Sequence, residues 1–276
     1  VGWCGGETAR VMAEAFGCGV CTAGGELVRY DGGFPSCAAY AGLLFDLPLT
    51  VFFEEKKNHI TIAFFGKNGG IIPRDAERKL EMTLLEARQT SLLQTGRASA
   101  VSGVCEAYVA AAARQAYAMM ENTGGLTVAV AGGGAENRAL KNALQLMNCT
   151  VTAGKAGAPS FEVTCGGRAL AATDEEGYRL SDDRLRVMTA FVEFACGTAE
   201  LAVPYEAPVA IDKLAQYFNA AVLRAGRDGQ RAEELYQHQM IMRDGVFAGA
   251  RLCAWLKSRG EPLSSLRRRI PEFSSM

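Results

Sequence analysis

The sequence predicts an α/β protein built of consecutive layered units, and three observations carry that prediction. Helical and strand-like periodicities alternate along the whole chain. The 31 glycines fall between the periodic segments, where they act as punctuation. With 49% apolar and 21% charged residues there is ample material for packed cores, which excludes a disordered chain. For 276 residues, the usual domain size of roughly 100 to 150 residues gives two or three domains.

The elements follow in order. Residues 7–22 carry apolar side chains at helical spacing, and 27–30 read as a short strand. Pro35 and Ser36 start a helix over 36–45, because proline suits a first helical turn. Strands rich in branched and aromatic residues are expected at 49–53 and 60–65, with the charged segment 54–59 as the loop between them. A charged amphipathic helix covers 74–89, and the small, polar stretch 94–100 reads as a linker. A second unit then runs through a helix at 102–121, a strand at 126–131, a helix at 135–146 and a strand at 149–153. Short strands around 168–173 and 178–180 are joined by the turn Asp174-Glu175-Glu176-Gly177. A third unit begins near Asp182, with helices at 183–195, 208–218 and 244–257 and strands at 200–203 and 221–223. The expected domains are 1–94, 95–181 and 182–276.

Composition narrows the function. A net charge of −1, from 29 basic and 30 acidic residues, gives no electrostatic reason to expect nucleic acid or anionic lipid as partner. The longest apolar runs, 39–45 and 126–131, fall far short of the roughly 20 residues that span a bilayer. The N-terminus lacks the charged, apolar and small-residue succession of a targeting signal, so a cytoplasmic setting is expected. Nine cysteines, an odd number scattered through apolar segments, point to reduced, buried thiols rather than a disulfide framework. The chain opens at Val1 inside a strand-to-loop junction, which reads as part of a longer polypeptide.

Several small motifs have modest readings. Cys18-Gly19-Val20-Cys21 lies inside the first helix with no second cysteine pair, so burial outweighs redox chemistry or half a zinc site. Ala131-Gly132-Gly133-Gly134-Ala135 offers amides at a helix start but lacks both the third glycine of a dinucleotide fingerprint and a P-loop lysine; a tight turn is expected. His59, beside Glu54, Glu55, Lys56 and Lys57, could act as a general base, but exposed loop charge is the stronger reading. His238 falls in a connecting segment, and Arg267-Arg268-Arg269 reads as a solvated helix end. Tyr205, Tyr217 and Phe218 fit a packing face rather than a base-stacking platform.

A set of collinear motifs gives a sharper reading. Val1-Gly2 opens the chain, Gly33-Phe34-Pro35-Ser36 forms a turn, and Ile62-Ala63-Phe64-Phe65-Gly66-Lys67-Asn68-Gly69 forms a hairpin. Gly96-Arg97 leads toward Glu106-Ala107-Tyr108, and Arg243-Asp244-Gly245-Val246-Phe247-Ala248-Gly249 is followed by Pro262-Leu263-Ser264-Ser265-Leu266. In this order they resemble the first three domains of the α-D-phosphohexomutases, the phosphoglucomutase and phosphomannomutase superfamily. The resemblance implies three consecutive α/β/α domains with mixed sheets, the fourth domain being absent.

It also implies a chemistry: transfer of a phosphoryl group between the 1- and 6-positions of a hexose through a phosphoserine. That requires a Mg²⁺ held by aspartates, a loop gripping the sugar and a separate phosphate clamp. Aligned on the resemblance, the serine position falls on Phe53, which has no hydroxyl to phosphorylate. The metal loop falls on Thr164-Cys165-Gly166-Gly167-Arg168-Ala169, which holds no carboxylate; Thr164 and Gly166 offer no hard ligand set and Arg168 would repel the cation. Only 233–242 fills the place of the sugar loop, and no room for a fourth domain follows Pro271-Glu272-Phe273. The expectation is a non-catalytic module with no resident cofactor, although the family uses Mg²⁺. Glu54 or Glu55 as phosphoryl acceptor, with His59, are the weak candidates for retained catalysis. Expected partners are other domains of a longer chain, as in bacterial sugar-nucleotidyltransferase fusions, or a second copy, with hexose phosphate as the candidate small ligand.

Overall fold

The computed structural model describes all residues except 58, 73, 87–94, 119–120, 122–123, 155–156 and 271–276. It has two compact units, Val1–Tyr108 and Val109–Met276.

Parallel neighbours need a crossover to bring the chain back, and the first unit makes two before it turns to a hairpin. β1 (Gly2–Cys4) leads through α1 (Glu7–Thr22) to β2 (Leu27–Asp31), then through α2 (Pro35–Leu44) to β3 (Thr50–Lys56). β4 (His59–Phe65) folds straight back, followed by α3 (Arg74–Glu86), β5 (Ala98–Ala100) and the start of α4 (Val104–Ala116). The sheet order is β4-β3-β1-β2-β5, antiparallel between β3 and β4 and parallel elsewhere. On one face Ala9 and Ala13 of α1 pack on Val51 and Phe53. On the other, Tyr30 stacks on Phe52, while Phe34 and Tyr40 meet Tyr108 edge-on at centroid separations of 5.3 and 5.6 Å.

The connection after β4 depends on glycine. Gly69 has φ +69°, and a Cβ there would lie 1.8 Å from the carbonyl oxygen of Ala39 in α2. The Phe65-Gly66 to Gly69 motif is therefore a backbone-to-backbone contact between the turn and α2.

Two expectations for this unit change. Segment 54–59 is not a loop: Glu54, Glu55 and Lys56 continue β3 and His59 opens β4, with Lys56 opposite His59. Lys57, at φ +56°, follows the last ladder pair directly, so ladder hydrogen bonds outweigh the poor strand propensity of the charges. The linker 94–100 contains β5, whose three exposed residues pair with β2. The helix expected over 74–89 is present over its described residues, 74–86, and the rest of that range lies outside the described residues, as does residue 94.

The second unit starts with β6 (Thr127–Val130), α5 (Ala135–Leu146) and β7 (Thr150–Thr152), then a meander of β8 (Ser160–Thr164), β9 (Ala169–Thr173) and β10 (Arg179–Leu180). The order β10-β9-β8-β6-β7 is again mixed, with β6 parallel to β7 and β8 and the rest antiparallel. After α6 (Asp182–Ala195) comes a parallel pair, β11 (Glu200–Pro204) and β12 (Ala221–Ala225), joined by α7 (Ala210–Tyr217). The remaining helices are α8 (Gln230–His238), α9 (Gly245–Arg259) and α10 (Leu263–Arg269). The free edge of β11 is closed by one side chain: Ala202 N–H donates to Gln239 Oε1 at 2.7 Å, and Gln239 Nε2 donates to the Glu200 carbonyl at 2.9 Å.

α9 is buried nearly all round and ties the second and third sheets into one unit. Asp244 caps it, accepting from the Val246 and Phe247 amides at 2.8 and 3.2 Å, and Gly260 in the left-handed region ends it. Its Gly249 faces Leu140 of α5, where a Cβ would come within 3.2 Å. Arg251, 1% exposed, pairs with Glu193 of α6 at 2.5 Å and donates to the carbonyls of Ala116 and Ala118 at 2.8 and 2.5 Å. The helix expected over 102–121 accordingly ends at Ala116, where its last carbonyls find this guanidinium.

Two elements escaped the sequence. β8 alternates polar and apolar residues, with Phe161 and Val163 buried, a short strand signal that the sequence reading passed over. α8 is polar with Ala232 as its one fully buried residue, so it shows no apolar stripe. The basic run Arg267–Arg269 ends α10 with Arg268 and Arg269 exposed, as expected, but Arg267 is held. Arg267 lies over Tyr178 and bonds Asp174 at 2.8 Å and Glu176 at 2.9 Å, fastening α10 to the 174–177 turn. All nine cysteines are thiols, but only Cys37, Cys149 and Cys253 are buried; Cys18 and Cys165 are exposed and the other four half-buried.

Asn137, 5% exposed, joins α5 to β8 by accepting from the Val163 amide at 2.7 Å and donating to its carbonyl at 3.0 Å. Asn137→Ala leaves both buried backbone groups without partners, at a cost of about 2 kcal/mol. Urea unfolding of the second unit should shift to a lower midpoint; an unchanged midpoint would show that this bridge is dispensable.

Candidate functional site

The sequence singled out two hairpins, one in each unit. In the first, Phe53 lies in the middle of β3, opposite Trp3 of β1 and Ile62 of β4. It is 2% exposed, with its ring 5.9 Å from that of Phe16. The position thus lacks a hydroxyl and is also sealed by packing, as alternation along β3 turns Phe53 and Glu55 toward α1 and Phe52 and Glu54 away from it.

The acidic candidates are already engaged. Glu54 is buried and pairs with Lys56 at 2.9 Å, two residues along on the same strand face. Glu55 reaches the start of α1, where its Oε2 accepts the Ala9 amide at 3.2 Å. Gly5 and Gly6 make this possible: a Cβ on either would lie 2.7–2.8 Å from Glu55 atoms. The carboxylate complements the exposed amides and positive dipole end of the helix. Glu55→Ala should therefore cost about 1 kcal/mol, read as a lower unfolding midpoint of the first unit by Trp3 fluorescence. His59 is exposed at the hairpin tip.

In the second unit, Thr164 ends β8, and Cys165, Gly166 and Gly167 make a tight turn into β9, all three at positive φ. Arg168 closes the turn, its Nε donating to the Cys165 carbonyl at 3.5 Å. These residues do not fit a Mg²⁺ site. They present no carboxylate, and a cationic guanidinium stands among them. Among the described residues, no three His, Cys, Asp or Glu side chains converge as metal ligands.

Beside this turn lies a small cavity that the sequence reading did not identify. Arg168, Asp182, Arg186 and Asp244 line it together with Leu170 and Met242. Its polar groups serve the fold: Asp182 accepts the Leu170 amide at 2.9 Å and pairs with Arg186 at 2.7 Å. The room inside is about 10 Å³ for water centres, enough for about one water and too little for a sugar phosphate. Only the one-turn spacing of Asp182 and Arg186 was visible beforehand.

The glycine segment 131–135 behaves as a turn. Gly134 caps α5, and a Cβ on it would lie 2.5–2.8 Å from the Glu136 carboxyl, so the protein's own carboxylate stands at this helix start. Cys18 and Cys21 sit one turn apart inside α1, and His238 is the last residue of α8.

Two mixed sheets built alike, each with parallel strands ending in an antiparallel hairpin, define the class of fold, and solved structures identify it as that of the phosphohexomutases. A phosphoglucomutase/phosphomannomutase family protein from Burkholderia thailandensis matches over 99% of this chain and 71% of its own length, with 14% identity and a TM-score of 0.76. A Thermus thermophilus structure named for phosphomannomutase matches over 95% of this chain and 72% of its own, also at 14% identity, with a TM-score of 0.69. Parafusin, a phosphoglucomutase from Paramecium in its open form, matches at 9% identity and a TM-score of 0.60 over 88% of this chain and 62% of its own. No protein-family model matches the chain, and no curated protein does. At such identities the likeness establishes the fold and leaves the chemistry to the residues. Among the described residues, no helix is long and apolar enough to cross a membrane.

Proposed function

We propose that this chain is a phosphohexomutase-fold module that does not itself transfer phosphoryl groups. It serves a structural, oligomerising or regulatory role in sugar-phosphate or nucleotide-sugar metabolism in the cytoplasm. Its partners are further domains of a longer polypeptide or a second copy. The observation that carries this reading is Phe53, an apolar ring 2% exposed in mid-strand where the resemblance puts the serine nucleophile. The Thr164–Ala169 turn supports it, because a metal-assisted transfer needs oxygen ligands that this turn does not supply. Loss of a nucleophile removes several orders of magnitude in rate, and loss of the metal cage acts on the same step.

The test is direct. The protein is incubated at high concentration with glucose 1-phosphate or mannose 1-phosphate and Mg²⁺, and turnover and protein-bound radiolabelled phosphate are measured. Neither should exceed a protein-free control. Turnover accompanied by label on Glu54 or Glu55 would sink the proposal and establish an unorthodox mutase. Calorimetry against hexose phosphates separates a structural module, which gives no saturable heat, from a sugar-phosphate sensor.

A further inference from the structure

We propose that Cys37 and Cys105 form a redox-active dithiol that closes to a disulfide under hydrogen peroxide, with Cys105 as the attacking sulfur and Cys37 as the resolving one. The two residues are 68 positions apart in sequence, yet their sulfurs lie 3.5 Å from each other in the first unit. A disulfide needs about 2.05 Å, so small side-chain rotations bridge the gap.

The surroundings suit thiolate chemistry rather than inert burial. Cys37 is the third residue of α2 and Cys105 the second of α4, so two helix starts converge on the pair. No capping side chain bonds the start of α2. Exposed amides and the positive dipole end at such positions favour a thiolate. Cys105 is half-buried and within reach of a small oxidant, while Cys37 is fully buried behind it. The hydrogen bond with Cys37 holds the Cys105 thiol below the usual cysteine range, outweighing burial and the nearby Glu106 and Asp31 carboxylates.

Two further features point at the same spot. Gly33 lies over both sulfurs, and a Cβ there would come within 3.2 Å of each, so the turn leaves them room to approach. Tyr30 is 3% exposed, and its hydroxyl has no hydrogen-bond partner in the structure. Burial, and then the fields of Cys37, Cys105 and Cys4, push that phenol well above its ordinary range. It remains a protonated, buried donor within the field of these thiols.

The chemistry balances. The Cys105 thiolate attacks one peroxide oxygen, the O–O bond breaks, and the departing hydroxide takes up a proton to leave as water. Cys37 then loses its proton and attacks the sulfenic sulfur. The S–S bond forms, the S–O bond breaks, and a second water leaves. Two thiols are oxidised by two electrons and one peroxide is reduced.

Trypsin isolates the two cysteines on separate peptides, 30–56 and 98–114. The reduced full chain is treated with one equivalent of peroxide, alkylated under denaturing conditions and digested without reductant. The expected product is these two peptides joined, with two hydrogens lost, and dithiothreitol should separate them. The Cys105→Ser variant should give no link at Cys37, and Cys37→Ser should leave a sulfenic acid on Cys105 that dimedone captures. A Cys18→Ser, Cys21→Ser background removes the exposed competitor in α1. If either single variant fails to fold, the mapping of the unmodified cysteine pair decides alone. Links that form only between other cysteines, or Cys105 reaching sulfinic acid while Cys37 stays alkylatable, would overturn the proposal.

Discussion

Arg251→Met is expected to destabilise the second unit by about 3–5 kcal/mol, because it strands a buried carboxylate. The guanidinium is 1% exposed and has three partners: Glu193 and the carbonyls of Ala116 and Ala118. Methionine fills much of the volume but satisfies none of them. Glu193 keeps only the Thr198 hydroxyl, at 3.0 Å, in place of a cation. Adding Glu193→Gln removes the stranded charge, so the double variant should recover part of the loss; the two carbonyls account for the remainder. The two tryptophans of the chain, Trp3 and Trp255, fall one in each unit, so each unit has its own fluorescence reporter. Urea unfolding of Arg251→Met in a Trp3→Phe background reads the second unit alone. A midpoint equal to the parent's would mean that the clamp holds nothing.

The second large effect is expected at Gly69 in the first unit. Alanine there meets φ +69°, which costs an L-residue about 1–2 kcal/mol. Its Cβ would also stand 1.8 Å from the Ala39 oxygen and 2.5 Å from the Ala39 carbonyl carbon, so α2 or the turn must move. Overpacking of that kind adds about 1–3 kcal/mol, for a combined loss of about 2–5 kcal/mol. Gly32→Ala is the control: it has φ +83° with nothing within 4 Å of the new Cβ, so it carries the backbone cost without the clash. Unfolding followed by Trp3 in a Trp255→Phe background should rank Gly69→Ala well below Gly32→Ala. Equal midpoints would remove the argument that the Gly66–Gly69 motif exists for close approach to α2.

Elements whose apolar spacing was self-sufficient were legible in the sequence. α1 and α5 run over the expected residues because each presents a stripe to its own neighbouring strands. Elements held by partners distant in sequence were not. β5 is a strand only because β2 offers it an edge, and α8 is a helix whose polar sequence announces nothing. The charged end of the first hairpin was misread because propensity was allowed to outvote the ladder. At the candidate site, the identity of Phe53 already excluded a phosphoserine, and a strand was expected to end there; its place in mid-strand, with Glu54 to Lys56 continuing the ladder, came only from the register with β1 and β4. Glu55 was legible as a carboxylate and not as the acceptor at the start of α1, since that contact spans 46 positions. The thiol pair and the Arg251 clamp lay further out of reach, at separations of 68 and 58 residues.

The Gln239 amide on β11 bears on how this protein behaves when crowded with copies of itself. A two-stranded parallel ribbon with a bare flank is a template onto which a foreign extended segment can add, the first event in fibril growth. By presenting a donor and an acceptor at the spacing of a peptide unit, one side chain counterfeits the missing neighbour and stops propagation on that flank. On that side the third sheet can therefore end at β11 without offering a nucleus for self-association.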